Sequence, residues 1–274
     1  MANHIPIYQA RAHLLPITLT TIWDTNIQKA VAYLTRTTHP FTEATAKQIH
    51  LPLRLGGLGI AELTNRSATA YVGSWSKHTF EHNPHHITSD TQFCHKYPEI
   101  QISLTSALSR IQHTLPADHP PANWNTWQTD QHSYSQKHLT HQLNQHLWQQ
   151  TNELTNHLQH TILNNAIGPA AGAWLYLPSD ATMFMPDTHY YLALRTRLAL
   201  HTTTTANDDK CNHHNEYRKC DHLLDTHGHH ALTCNIGPQR TQRHNNIARQ
   251  LAWWLKQHGH TITTEHTRTS HGLP

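Results

Sequence analysis

The sequence predicts a mainly α-helical protein, and three observations carry that expectation. Apolar residues recur at four- and seven-residue steps over long stretches, as in Leu139, Leu143, Leu147, Leu154, Leu158 and Ile162. The gaps between such stretches hold Pro and Gly, which end helices. A strand is expected only over 261–265, close to the end of the chain.

Taken in order, segment 17–36 sets Ile22, Ile27, Val31 and Leu34 on one helical face. A short helix is expected over 42–49. The next stretch, Leu-Pro-Leu-Arg-Leu-Gly-Gly-Leu-Gly-Ile at 51–60, forbids a regular helix. Helix resumes near Ala61 and runs through Ala70 and Trp75. Residues 82–98 read as a loop, with Pro84, Pro98 and clustered His. Leu104, Leu108, Ile111 and Leu115 make a further stripe. Segment 116–130, with three Pro and paired Trp124 and Trp127, reads as a linker. The stripe from Leu139 to Ile162 reads as one long amphipathic helix closed by Gly168-Pro169. A second unit is expected from Ala170. It opens with the apolar run 173–177. A helix over 190–200 follows, with Tyr191, Leu194 and Leu198 inward and Arg195 and Arg197 flanking. Next come a Cys/His segment at 211–234 and a helix over 241–257 stopped by Gly259. The expected organisation is thus 1–80, 81–169 and 170–274.

Composition limits what the chain can do. Only 36% of its 274 residues are hydrophobic and 14% charged, both low for a globular chain, while 30 are His. Thr, His, Asn and Gln codons share an A- and C-rich bias, which accounts for the excess without function. Most of the His are expected on the surface. A formal charge of +3 is too weak to argue nucleic-acid binding by itself. Residues 1–10 lack the apolar core of a signal peptide, and no apolar run approaches the roughly 20 residues of a membrane span. An intracellular, nuclear location and no membrane partner are the expectation.

The chemistry concentrates near residue 220. Three of four Cys lie among His: Cys211, Cys220 and Cys234, with Cys94 far off. Thiolate and imidazole are the donors that tetrahedral Zn²⁺ takes. Cys220, Cys234 and either His229 or His230 have workable spacing. Cys211 is separated from Cys220 by eight residues, longer than structural sites commonly use, and His213, His214 and His222 are substitutes. Ordinary thiols in a His-rich chain are the competing reading. Gly228 would permit a tight turn before the His pair. Beyond the cluster, Arg243-His244-Asn245 opens the expected helix, with Arg240 nearby. A helix start offers free N–H groups and a positive dipole end to a phosphate, against the simpler reading of an exposed polar turn. The Gly56-Gly57-x-Gly59 turn lacks the strand, the full fingerprint and the Lys of a nucleotide loop. No Ser-His-Asp set or paired carboxylates can be assigned, so no catalytic residue is named and no small-molecule substrate is expected.

Several segments, in order, resemble one family. "QIHLPLRLGGLGI" followed by "SATAYVGSW" is similar to the region after the polymerase palm of non-LTR retrotransposon reverse transcriptases. "AGAWLYLPSD", "HYYLALRTRLAL", "CDHLLDTHGHHALTC" and "RHNNIARQL" resemble the C-terminal part of the same proteins. The resemblance implies a thumb-like helical region over 1–80 that meets a primer–template backbone through Arg and Lys. It implies a helical connector, then a structural Zn²⁺ knuckle of Cys211, Cys220, His230 (or His229) and Cys234. The triplet Arg243, His244 and Asn245 would contact RNA or DNA, with the nearby charge of Arg240 added from its place at the helix start. The same resemblance implies the first elements of an α/β restriction-like endonuclease, with Glu265 ahead of its core and Pro274 where a Pro-Asp motif would begin. The Mg²⁺-binding palm carboxylates of the full-length polymerase are expected upstream, and Asp208-Asp209, in a polar loop, does not stand for them. The expectation is therefore a C-terminal fragment of an RNA-directed DNA polymerase, inactive alone, that binds nucleic acid. A host protein reusing the module, and a non-functional relic, are the alternatives.

Overall fold

The computed structural model describes residues 4–81, 92, 95–115, 134–175, 185–202, 210–214, 217–236 and 239–262. It is mainly helical. Among the described residues, β structure amounts to three isolated antiparallel bridges, and no α/β layer of a nuclease is present. The chain divides into two compact units, 1–200 and 201–274. The segment expected to start at Ala170 is thereby split, because its first helix packs in the first unit.

The first unit holds α1 (His4–Ala10), α2 (Ile17–Leu34), α3 (Glu43–His50), α4 (Leu63–Glu81), α5 (Pro98–Thr114), α6 (Gln136–Leu154), α7 (His157–Asn165) and α8 (Asp187–Arg197), with a 3₁₀ turn at Ala173–Leu175. Several starts follow from local chemistry. Thr42 accepts the Thr45 N–H at 3.2 Å, Ser135 accepts that of His138 at 3.2 Å, and Pro98 enters α5 at its first turn. Pro98 was expected in a loop, but a missing N–H costs nothing where the helix has no partner for it. The long stripe from Leu139 is two helices. Asn156 accepts the Gln159 N–H at 2.9 Å while the Gln159 side chain accepts the Asn156 N–H at 3.2 Å, a capping box that starts α7 afresh.

Helix α4 is the centre of this unit, packing on α1, α2, α5 and α6. Ala68, Tyr71 and Val72 meet Leu104, Ala107, Ile111 and Leu115 of α5 and its end, and Leu139 and Leu143 of α6. A second cluster joins Val31, Ile49 and Leu198, whereas Ile22 and Leu34, expected on the inward face of α2, are 59% and 49% exposed. Few large apolar residues are needed because Thr and Ser fill the helix contacts. Thr35 and Thr151, both buried, satisfy their hydroxyls on the carbonyls of Val31 at 2.8 Å and Leu147 at 2.7 Å. Burying such a hydroxyl is tolerable because its hydrogen bond comes from its own helix.

The Gly-rich turn is a structural knot. A side chain at Gly57 would put its Cβ 2.1 Å from the Leu51 carbonyl oxygen, and Gly59 has φ +72°, so both positions need glycine. Arg197, expected as a flanking charge, is instead buried and donates to the carbonyls of Gly57, Leu53 and Ala171, each at 2.9 Å. Gln48 donates to the Gly56 and Arg197 carbonyls at 3.2 and 2.7 Å. The backbone N–H groups that a phosphate loop would offer are turned inward here: those of Gly56, Gly57, Leu58 and Gly59 donate to the carbonyls of Leu53, Pro52, Ile49 and Leu51.

The second unit holds α9 (His229–Thr233) and α10 (Gln239–Gln257), in contact with each other, and the loops before them. The linker expected at 116–130, Cys94, Asp208-Asp209, Glu265 and Pro274 lie outside the described residues, as does most of the strand expected over 261–265.

Candidate metal centre

The loops of the second unit bring four donors together. An antiparallel ribbon, bridged at Lys210 with Leu223 and at His214 with Lys219, carries Cys211 and Cys220. The Cys211 N–H reaches the His222 carbonyl at 2.9 Å and the Cys220 N–H the His213 carbonyl at 2.7 Å. The ribbon folds back on itself, so eight intervening residues bring the two sulfurs close instead of holding them apart. The sequence spacing that counted against Cys211 is thereby explained.

Helix α9 supplies the other two. His230 and Cys234 stand four residues apart on one helical face, and the Cys234 N–H closes the turn on the His230 carbonyl at 2.8 Å. Gly228 has φ +75°, the left-handed bend that turns the chain into α9. Asp225 fixes the entry. Its carboxylate accepts the N–H groups of His227, His229 and His230 at 3.1, 2.9 and 2.7 Å. Burial pushes this carboxyl up, but the N–H groups of His230 and His229, with the nearby His229 ring, outweigh it and hold it below the usual carboxylate range.

One donor atom from each of Cys211, Cys220, His230 and Cys234 lies within 4.8 Å of the others. The Cys211 and Cys234 sulfurs are 3.8 Å apart, and the Cys220 sulfur is 3.3 Å from His230 Nε2. Tetrahedral zinc, with bonds of about 2.3 Å to sulfur and about 2.0 Å to nitrogen, gives edges of about 3.8 and 3.5 Å. All three Cys are buried and form their own apolar cluster with Leu224 and Ile236. Burial pushes the Cys211 thiol up, and the Cys234 and Cys220 sulfurs push it further, against a lowering contact from the His213 backbone. Without a cation the pocket favours the neutral form of Cys211, and a divalent ion reverses that preference. The donor set, the spacings and the burial fit a structural Zn²⁺ of Cys₃His type.

His230 takes the fourth place and His229 does not. His229 follows the Gly228 bend on the exposed side of α9. His213 and His222 remain beside the cluster, the His222 ring 5.3 Å from that of His230. The part of Asp225 was not read from the sequence, although an Asp ahead of a Gly bend is a common acceptor for the next N–H groups.

The Arg-His-Asn triplet is arranged differently from expectation. Helix α10 starts at Gln239, so the free N–H groups of its first turn belong to residues 239–242, and those of Arg243, His244 and Asn245 enter the helical ladder. Three consecutive residues also point to different sides of a helix. The triplet is exposed, with His244 Nδ1 3.4 Å from Asn245 Oδ1, but it does not form one contact surface. Arg240 lies on the same first turn, its side chain outside the described residues.

Comparison with family models, with curated proteins and with solved structures finds no match. Among the described residues no helix is long and apolar enough to cross a membrane.

Proposed function

We propose that this chain is a nucleic-acid-binding region of a non-LTR retrotransposon reverse transcriptase, lying beyond the polymerase palm, whose second unit is a zinc knuckle that holds a cationic helix. The observation that carries this reading is the convergence of Cys211, Cys220, His230 and Cys234, which are the residues the resemblance assigns to a zinc knuckle. The bound ion would supply no reaction chemistry; it would cross-link the ribbon to α9 and so fix the start of α10 through their contact. That helix carries Arg240, Arg243, Arg249 and Lys256 and no acidic residue. Its field suits a polyanion, and its contacts would be with phosphates, which position a strand without reading its sequence. On the same reading, residues beyond α10 lead into a restriction-like endonuclease domain, and the partner is element RNA or target DNA in the nucleus.

The test measures metal and binding on one preparation. One zinc per chain is expected, with oligonucleotide affinity that weakens steeply as salt rises and falls further on chelation. A metal-free protein that keeps its melting temperature and takes up no added zinc, or a zinc protein that binds no nucleic acid at low salt, overturns the proposal.

A further inference from the structure

Helix α10 has two unlike sides. Its half-buried side chains, Ala252 and Leu255, lie on one side. On the opposite side, three- and four-residue steps align Arg243, Asn246, Gln250, Trp253, Trp254 and Gln257 along one exposed face. Trp253 and Trp254 are 56% and 48% exposed. Two neighbouring indoles left this open to water are costly unless something covers them, since each can bury a large apolar area.

The occupant must be anionic. The helix contains no Asp or Glu, so a second copy of it would meet like charge, as would a basic peptide. It must also offer flat rings. Trp254 already holds the His258 ring at 4.2 Å between centroids, tilted by 37°, so its indole accepts a planar partner at near-stacking distance. Asn246 and Gln250 stand between the cation and the indoles; the Gln250 amide can donate to and accept from base edges, and that of Asn246, whose oxygen accepts from Arg249, can donate. The face from Arg243 to Trp254 is about 16 Å long, roughly the rise of five stacked nucleotides. A closed duplex presents phosphates but hides the faces of its bases, whereas a single strand presents both.

Resting on the nucleic-acid role proposed above, we propose that this face of α10 binds single-stranded nucleic acid, with unpaired bases stacked on Trp253 and Trp254 and the backbone held by Arg243. RNA and DNA share this chemistry, and the test separates them.

The experiment uses the full zinc-loaded chain and labelled dT12, rU12 and a blunt 12-base-pair duplex, followed by anisotropy and by tryptophan quenching. A single strand is expected to bind at least tenfold tighter than the duplex. Trp253→Ala and Trp254→Ala should each weaken single-strand binding by roughly five- to a hundredfold, the range of one base–aromatic stack. Trp253→Phe should restore most of it, with zinc content and helicity unchanged. Tighter binding of rU12 than dT12 names RNA as the ligand, and the reverse names DNA. Equal binding of the duplex, or Trp variants that bind as the parent does, overturns the single-strand assignment while leaving the nucleic-acid role intact. Failure of all three probes removes that role and this assignment with it. Ile247 of the same helix is 62% exposed, and capture by vesicles of phosphatidylserine, lost in Ile247→Asp, overturns the assignment in favour of a membrane surface.

Discussion

The carboxylate of Asp225 accepts the backbone N–H of His230 at 2.7 Å. It also takes those of His227 and His229, so one side chain sets the angle at which α9 leaves the Gly228 bend. That angle turns His230 toward the sulfurs and leaves His229 exposed. Asp225→Ala is expected to lower zinc affinity by about tenfold or more, in the range of lost outer-shell support. Competition with a chromophoric chelator measures it, and an unchanged affinity counts against the role given to Asp225.

The ligand assignment is tested by substitutions that should differ sharply. His230→Ala and Cys220→Ser should each remove stoichiometric zinc, because each takes away one of four donors. His229→Ala and Cys94→Ser should leave one zinc per chain. A His229→Ala protein that loses its metal would move the fourth ligand to that residue.

Zinc affinity should fall with acid. Burial favours the neutral Cys211 thiol, so binding must expel its proton, and the affinity carries that cost. Lowering pH from 8 to 6 makes each proton harder to release, by up to about one decade of affinity per proton per pH unit. Chelator competition at pH 8, 7 and 6 shows it. A flat profile means that no proton leaves on binding, which contradicts a neutral Cys211 thiol in the metal-free site.

Glu62 sets a different pH dependence in the first unit. Burial foremost, and then the charge of Asp24, raise its carboxyl above the ordinary range, against His50, Asn65 and Lys47. At a pH between the ordinary and the raised value the folded chain holds a proton that the unfolded chain has lost. The stability tied to that proton is present below the ordinary Glu value of about 4.3 and is lost as pH rises through the folded value. Glu62→Gln keeps an acceptor for Asn65 and has no charge to desolvate. It should be more stable than the parent at pH 8, with the gap closing toward pH 4. Urea unfolding at several pH values checks this, and a gap that widens on acidification contradicts it.

Asp24 caps a helix that starts far along the chain. Its carboxylate accepts the N–H groups of Leu63 at 2.7 Å and Thr64 at 3.1 Å, and the Thr64 hydroxyl at 2.7 Å. Asp24 is buried, so its removal strands two backbone donors at the start of α4. Asp24→Ala should cost about 2 kcal/mol, and Asp24→Asn less. Denaturant unfolding measures both, and a loss under about 0.5 kcal/mol would mean that water replaces the cap.

By itself the sequence determined where most helices lie and which residue types could hold a metal. Apolar periodicity marks α2, α5 and α6, because a helix repeats every 3.6 residues whatever it packs against. The break at Asn156 was legible too, in the Asn-His-Leu-Gln order of its capping box, but the stripe of leucines on both sides masked it. Cys220, Cys234 and one of the pair His229 and His230 were placed by spacing, which a short helix and a tight bend fix locally. The tertiary structure alone decided the rest. Asp24 and Leu63, or Arg197 and Gly57, are joined across long stretches of chain that carry no local signal. The choice of His230 over His229 hangs on the three N–H groups gathered by Asp225, and the pairing of Cys211 with Cys220 on a ribbon that folds back. Which face of α10 carries the exposed indoles follows from which side Ala252 and Leu255 turn inward. In each case a residue's role depends on its direction in space, which residue order constrains only within a turn or two of helix.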